Sequence, residues 1–212
     1  MATKTNSYPA SLDIDYPPKM SRLTTFFRLF CAFPALVILM LLTGSGESYM
    51  SEAGKEMSQN GSGIVFGLSA ATALMILFRQ RYPRWWFDFN LELNRFSARV
   101  GAYLVLLTDT YPSTVEKQSV HLDVTYPEVK QDLNRWLPLV KWLLALPHYI
   151  VLCVLFLAAA VVTVIAWFAI LFTGRYPKAL FDFIVGVGRW NLRVDAYAFL
   201  LTTDKYPPFT LK

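Results

Sequence analysis

From Trp136 to Thr173 the chain runs for about 38 residues without an acidic side chain, and Lys141 and His148 are its only basic ones. A run this long and apolar has to be buried in lipid or protein, so it limits the fold more than any other feature. As one helix it would be about 57 Å long, too long for a single crossing of a hydrocarbon core of about 30 Å. The length therefore predicts a transmembrane helical hairpin turning near Leu157–Ala160. In a competing reading, 136–146 is an interfacial helix and 149–173 crosses once. Two further apolar segments, 24–43 and 63–79, flank a polar stretch over 44–62, and they form the same kind of hairpin with its turn spelled out.

Composition agrees. Hydrophobic residues make up 55% of the chain and charged residues 17%, too little charge for a soluble domain of this length. The net charge of +5 raises nucleic acid as a partner, but there is no Lys/Arg block and no recognisable nucleic-acid module, so a membrane protein with basic cytoplasmic corners accounts for it better. Cys31 and Cys153 both lie in apolar runs and read as small hydrophobes, not a disulfide framework. The start of the chain is polar and proline-punctuated, unlike a cleavable signal.

The two halves share an ordered set of motifs. "LDIDYP" at 12–17 answers "LDVTYP" at 122–127, and Phe33-Pro34 answers Leu146-Pro147. Arg81-Tyr82-Pro83 answers Arg175-Tyr176-Pro177, and Phe87-Asp88-Phe89 answers Phe181-Asp182-Phe183. Arg95, Arg99 and Tyr103 answer Arg189, Arg193 and Tyr197, and "TDTYP" at 108–112 answers "TDKYP" at 203–207. The pattern predicts a tandem duplication, with a first repeat over 1–113 and a second over 119–212. The fold class expected is mainly α and integral to a membrane. Each repeat would carry a short β-strand, a transmembrane hairpin and an amphipathic interfacial helix (about 84–107 and about 178–202).

Charge orients this arrangement. The 44–62 stretch holds Glu47, Glu52 and Glu56 against Lys55 alone, while Arg22, Arg28, Arg79, Arg81, Arg84, Arg135, Arg175 and Lys178 stand beside segment ends. The positive-inside rule then puts both termini in the cytoplasm and 44–62 outside. Two crossings per repeat would relate the copies by an axis along the membrane normal.

Each repeated motif has a physical reading. In Arg-Tyr-Pro the proline breaks or starts a helix, the tyrosine suits the headgroup level and the arginine snorkels to phosphate, which makes the motif a membrane-exit corner. Asp88, Glu92, Arg95 and Arg99 share one helical stripe, and the second copy keeps Asp182, Arg189 and Arg193 with Gly186 in place of the glutamate. Such helices are expected to lie in the interface. Arg81, Tyr82, Arg95, Arg99, Arg175, Tyr176, Arg189 and Arg193 are accordingly the candidate residues for binding anionic headgroups or a partner protein. Asp195 sits opposite the stripe, where Gly101 stands in the first copy, and reads as exposure near the helix end or as a pair across the copies. The "LDxxYP" segments alternate with period two and read as strands, with the "TDTYPSTV" and "TDKYPPFTL" stretches as their extended partners in a small cytoplasmic sheet.

Taken together, "SRLTTFFRLFCAFPALVIL", the "LDVTYP" strands and the run from "AILFTGRYPKALFDF" to "TTDKYPPF" resemble an uncharacterised family of bacterial integral membrane proteins. The first copy departs from that wording in its more charged "RWWFDFNLELNRFSARV" and in lacking the Pro-Pro-Phe ending. The resemblance implies a membrane fold and a bacterial inner membrane, and no activity.

Catalytic constellations are not found in the sequence. His121 and His148 have no partners at metal-ligand spacing, haem ligation by His148 has little to support it, and no nucleophile elbow or phosphate loop occurs. No cofactor is expected. The reading that follows is a non-enzymatic accessory or scaffold subunit that binds lipids and docks a membrane complex or a second copy of itself. An oligomeric channel or transporter is the alternative. A lipid-modifying enzyme using Asp88 and Asp182 with the arginines is the second alternative, though two carboxylates in matching surroundings lack differentiated acid and base roles.

Overall fold

The computed structural model describes residues 8–43, 49–50, 56–57, 64–113, 116 and 118–212. In chain order its elements are β1 (Ala10–Ile14), α1 (Arg22–Thr43), β2 (Tyr49–Met50), β3 (Glu56–Met57), α2 (Ile64–Arg79), α3 (Arg84–Leu104), β4 (Val120–Val124), α4 (Val129–Asp132), α5 (Pro138–Leu144), α6 (Leu146–Thr173) and α7 (Lys178–Ala198). The protein is mainly helical, with one antiparallel pair formed by β1 and β4 and a minimal β2–β3 pair.

The period-two segments become strands, but they pair with each other. The register runs Ala10↔Val124, Leu12↔Leu122 and Ile14↔Val120, so the central pair joins residues at the same place in the two "LDxxYP" segments. The "TDTYP" and "TDKYP" stretches, expected as their partners, have no regular structure. In both strands the apolar residues face inward and the polar residues outward.

A two-stranded ribbon is marginal alone, and here helices cover its inner face. β1 lies on α7 and β4 on α3. Arg189 donates from Nε to the Leu12 carbonyl (2.8 Å) and from Nη2 to Asp13 (2.7 Å). Arg95 makes the same two bonds to the Leu122 carbonyl (2.9 Å) and Asp123 (2.6 Å). Tyr16 donates to the Tyr176 carbonyl, and Tyr126 to that of Tyr82. β1 is thus fastened to a helix 177 residues away in sequence, and β4 to the helix that precedes it.

Three layers result. The ribbon forms the first, α3 and α7 the second, and α1 and α6 the third, with α1 against α3 and α6 against α7. α6 turns one stripe inward (His148, Leu152, Ala159, Ala166 and Ile170) and leaves the rest of its apolar surface exposed. That stripe meets Ile184, Val185, Trp190 and Val194 of α7.

Three expectations are corrected here. α6 runs unbroken through Leu157–Ala160, so the second segment makes no hairpin turn there; alanines and β-branched residues with no glycine or proline give the helix nothing to break on. Four crossings are not met either. Among the described residues one helix, α6, is long and apolar enough to span a membrane, or two if the α1 segments on either side of a 47° bend count as one span. Finally, α7 does not keep an apolar face free for the membrane interface: that face is buried between α6 and β1.

Gly186 explains a break in the repeated stripe. A Cβ there would stand 2.8 Å from the Leu211 carbonyl oxygen, so the C-terminal segment crosses α7 where only hydrogen fits. Arg193 holds the same segment by donating to the Thr210 carbonyl at 2.6 Å.

The strand clamps give a direct test. Arg189→Gln should cost about 1–3 kcal/mol by stripping a charge-assisted bond from β1, and amide exchange at Leu12 and Ile14 should quicken while exchange within α6 stays slow. Equal protection of β1 in the variant would mean that strand pairing alone holds it.

Candidate functional site

The eight residues singled out by sequence divide into three groups. Tyr82 and Tyr176 are buried, 3% and 1% exposed, each packed edge-on against the phenylalanine that opens the following helix. The headgroup-level reading of these tyrosines is therefore corrected, because a core ring cannot meet lipid phosphate. Arg95, Arg99, Arg189 and Arg193 have protein partners: the first and third clamp the strands, Arg99 donates to the Ser113 carbonyl at 2.6 Å, and Arg193 is buried under the C-terminal segment. Arg81 and Arg175 alone are exposed, with no side-chain partner among the described residues. Asp88 and Asp182 are surface carboxylates paired one turn back with Arg84 and Lys178.

Two cations that the sequence places near the ends of apolar segments, Arg28 and Lys141, are buried. Arg28 is 3% exposed and donates to the carbonyls of Tyr103 (2.8 Å) and Thr108 (2.9 Å), pairs with Asp109, and lies 4.6 Å over the Tyr103 ring. Lys141 is fully buried and donates to the Thr203 carbonyl (2.8 Å), pairs with Asp204 (2.7 Å), and lies 5.2 Å from the Tyr197 ring. The aspartates of the "TDxYP" motifs are thus counter-ions. They also accept the backbone N–H groups of Ser21 and Asn134, fixing the entry to α1 and the approach to α5. A signal was present: Arg28 stands five residues before Phe33, and Lys141 five before Leu146. Burying such pairs adds little net stability, but losing one partner strands a charge and costs about 3–5 kcal/mol.

The most distinctive chemistry centres on Asp195. Its side chain stands where α7 meets three cavities. The first, about 290 Å³, lies between α3 and α7, with Leu12 and Leu122 on the ribbon side and Phe156 and Ala159 of α6 opposite. The second, about 200 Å³, adds Ser69 and Thr72 of α2 and Asn90 of α3. The third, about 570 Å³, runs along α6 past Tyr149, Cys153 and Leu157 and brings in exposed apolar side chains. The sequence reading, exposure at a helix end or a pair across the copies, missed this position because α2, α3 and α6 close around it only in three dimensions.

The polar part of the cavity is small. Asn191 donates its Nδ2 to Asp195 Oδ2 at 2.8 Å, and Asn94 donates its Nδ2 to the Asn90 carbonyl at 2.9 Å. Burial pushes the Asp195 carboxyl up to about 7, with the Asn191 bond pulling the other way.

His148 is shut off. It accepts from Trp190 Nε1 at 3.0 Å and stacks on Phe209 with ring centroids 4.0 Å apart, fully buried, so a haem has no approach to it. Among the described residues no group of three His, Cys, Asp or Glu side chains could hold a metal ion.

A family model described as a domain of unknown function (DUF4389) matches residues 136–210. The match spans α5, α6, α7 and most of the C-terminal segment, and includes Lys141, His148, Arg189, Arg193 and Asp195; both strands of the ribbon lie outside it. No curated protein and no solved structure shows significant similarity to the chain.

The Asp195 environment predicts an inverted pH response. The ordinary value is 3.8 and the folded value lies above it, so between the two the folded protein holds a proton that the unfolded chain lacks. The stabilisation is full below the lower value and gone above the upper. The melting temperature of the wild type should fall from about pH 4 to about pH 7 more steeply than that of Asp195→Asn. Parallel curves would show that the carboxyl is solvated.

Proposed function

We propose that the protein is a non-enzymatic scaffold or accessory subunit of the bacterial inner membrane, built from two tandem copies of one unit. In this reading α1 and α6 lie flat in the cytoplasmic leaflet. The observation that carries it is the level at which the ribbon sits. Leu12 and Leu122 line the same cavity as Phe156 and Ala159, near the midpoint of α6, with α7 between. Were α6 to cross a bilayer upright, the ribbon would lie beside the bilayer centre. Its outer face carries Asp13, Asp15 and Asp123 with 67–75% of each side chain exposed. Each such charge costs about 2.5–3.5 kcal/mol at that depth.

Laid flat, the same molecule meets both solvents correctly. The exposed apolar side of α6, from Ile150 to Phe172, and that of α1, from Leu23 to Leu41, face acyl chains, while the ribbon faces water. A helix of 28 residues is about 42 Å long, which an in-plane orientation accepts without mismatch. The exposed guanidinium groups of Arg81 and Arg175 follow α2 and α6 directly and suit anionic headgroups. The ribbon's outer face is left for a partner protein.

Depth measurement separates the two orientations. Spin labels placed singly at Ile150, Leu157, Val164 and Phe172, in a background with Cys31 and Cys153 replaced, should report similar depths in bilayers of mixed anionic and zwitterionic lipid. A spanning α6 would place Leu157 deep and the end labels shallow, since Ile150 and Phe172 would then stand about 33 Å apart along the membrane normal. Arg81→Gln with Arg175→Gln should weaken vesicle binding chiefly where the lipid is anionic, and more so at low salt.

A further inference from the structure

We infer that the Asp195 cavity is a binding site for the primary ammonium group of an amphiphile, whose chain follows the apolar walls toward α6. Asp195 is the one charged side chain lining the first cavity among the described residues, and Asn94 and Asn191 line it beside Asp195. Asn191 Nδ2 serves Asp195 Oδ2 and Asn94 Nδ2 serves the Asn90 carbonyl. A primary ammonium brings one positive charge for the Asp195 carboxylate and N–H donors that the carboxylate and amide oxygens can accept. An anion would be repelled by the carboxylate, and a quaternary ammonium would bring charge without donors.

The walls select the remainder of the ligand. Beyond the polar cluster the first cavity is lined by Ile184, Val185, Val187 and Ala102, and the third leads along Leu152 and Phe156 to the exposed Leu157. A volume of about 290 Å³ admits the head and several methylenes, and the exposed side of α6 gives the chain a way out into lipid. Each buried CH₂ adds roughly 0.8 kcal/mol, so an amphiphile is favoured over a free small amine. Asp195 has to be ionised to hold the cation. Among the described residues Tyr149 and Cys153 are the only other titratable side chains lining the three cavities, so binding should weaken as the pH falls below about 7 and the carboxyl takes up its proton. The aminophospholipid headgroup and a free long-chain amine share this chemistry. The inference uses the membrane reading only in letting the ligand arrive from lipid.

The experiment uses the full chain in neutral detergent, where no bilayer orientation enters. Native mass spectrometry with phosphatidylethanolamine, phosphatidylcholine, phosphatidylglycerol and dodecylammonium should show one retained ligand from the first or last of these. Asp195→Asn should lower retention at least tenfold, while Asp182→Asn, a surface carboxylate, should leave it unchanged. Retention of phosphatidylethanolamine identifies the lipid as the source, and retention of dodecylammonium alone identifies a free amine. In the wild type, dodecylammonium should also slow maleimide labelling of Cys153, which lines the third cavity, while dodecanol should not. Equal retention of choline and ethanolamine lipids, or an Asp195→Asn protein that holds ligand as well as the wild type, would overturn the site. So would unchanged Cys153 labelling. None of these results bears on whether α6 lies flat.

Discussion

Everything above the apolar layer depends on the exchange of strands between the halves of the chain. β1 is fastened to α7 by Arg189 and β4 to α3 by Arg95, and the strands are paired through Leu12 and Leu122. A ribbon of two short strands has little stability alone. It persists because its inner leucines complete the cores over two helices, and because each clamp joins a guanidinium to both a backbone carbonyl and a carboxylate. The ribbon in turn holds α3 and α7 side by side, and the gap left between them is the cavity at Asp195.

The buried cations serve the same end in the layer below. Arg28 and Lys141 bring positive charge into the protein beneath tyrosine rings, where only the "TDxYP" aspartates and carbonyl oxygens can compensate it. In exchange, those aspartates fix where the loops after α3 and α7 return to the start of the apolar layer. Leu106 and Leu201, just past those helices, adopt a left-handed backbone (φ 68° and 55°) that costs an L-residue about 1–2 kcal/mol. Near-complete burial of both side chains offsets that cost.

The functional picture follows from the contrast between the two faces. One side is exposed and apolar along α1 and α6; the other carries paired charges on the ribbon, among them Asp15 with His121. In the function proposed above, a scaffold lying in one leaflet would use both faces, the first for lipid and the second for protein. The cavity at Asp195 adds the point at which we infer an ammonium amphiphile is held by its head as well as by its chain. Few of the residues that carry this picture are those of the repeated charged stripe, because most of its arginines are spent on holding strands and tails.

The amino-acid sequence by itself determined the mainly helical class, the two strands and a run apolar enough to span a membrane. These follow from local periodicity, from composition and from the length of the apolar run, none of which needs a distant partner. Only the tertiary structure decided what the motif residues do. Tyr176 is core because Tyr16 and Phe181 close over it, and Arg189 is a clamp because Leu12, 177 residues away, lies beneath it. Asp195 shows the limit most clearly. Whether one aspartate in a helix faces water or a cavity depends on three other helices, and their arrangement is set by contacts between residues far apart in the chain.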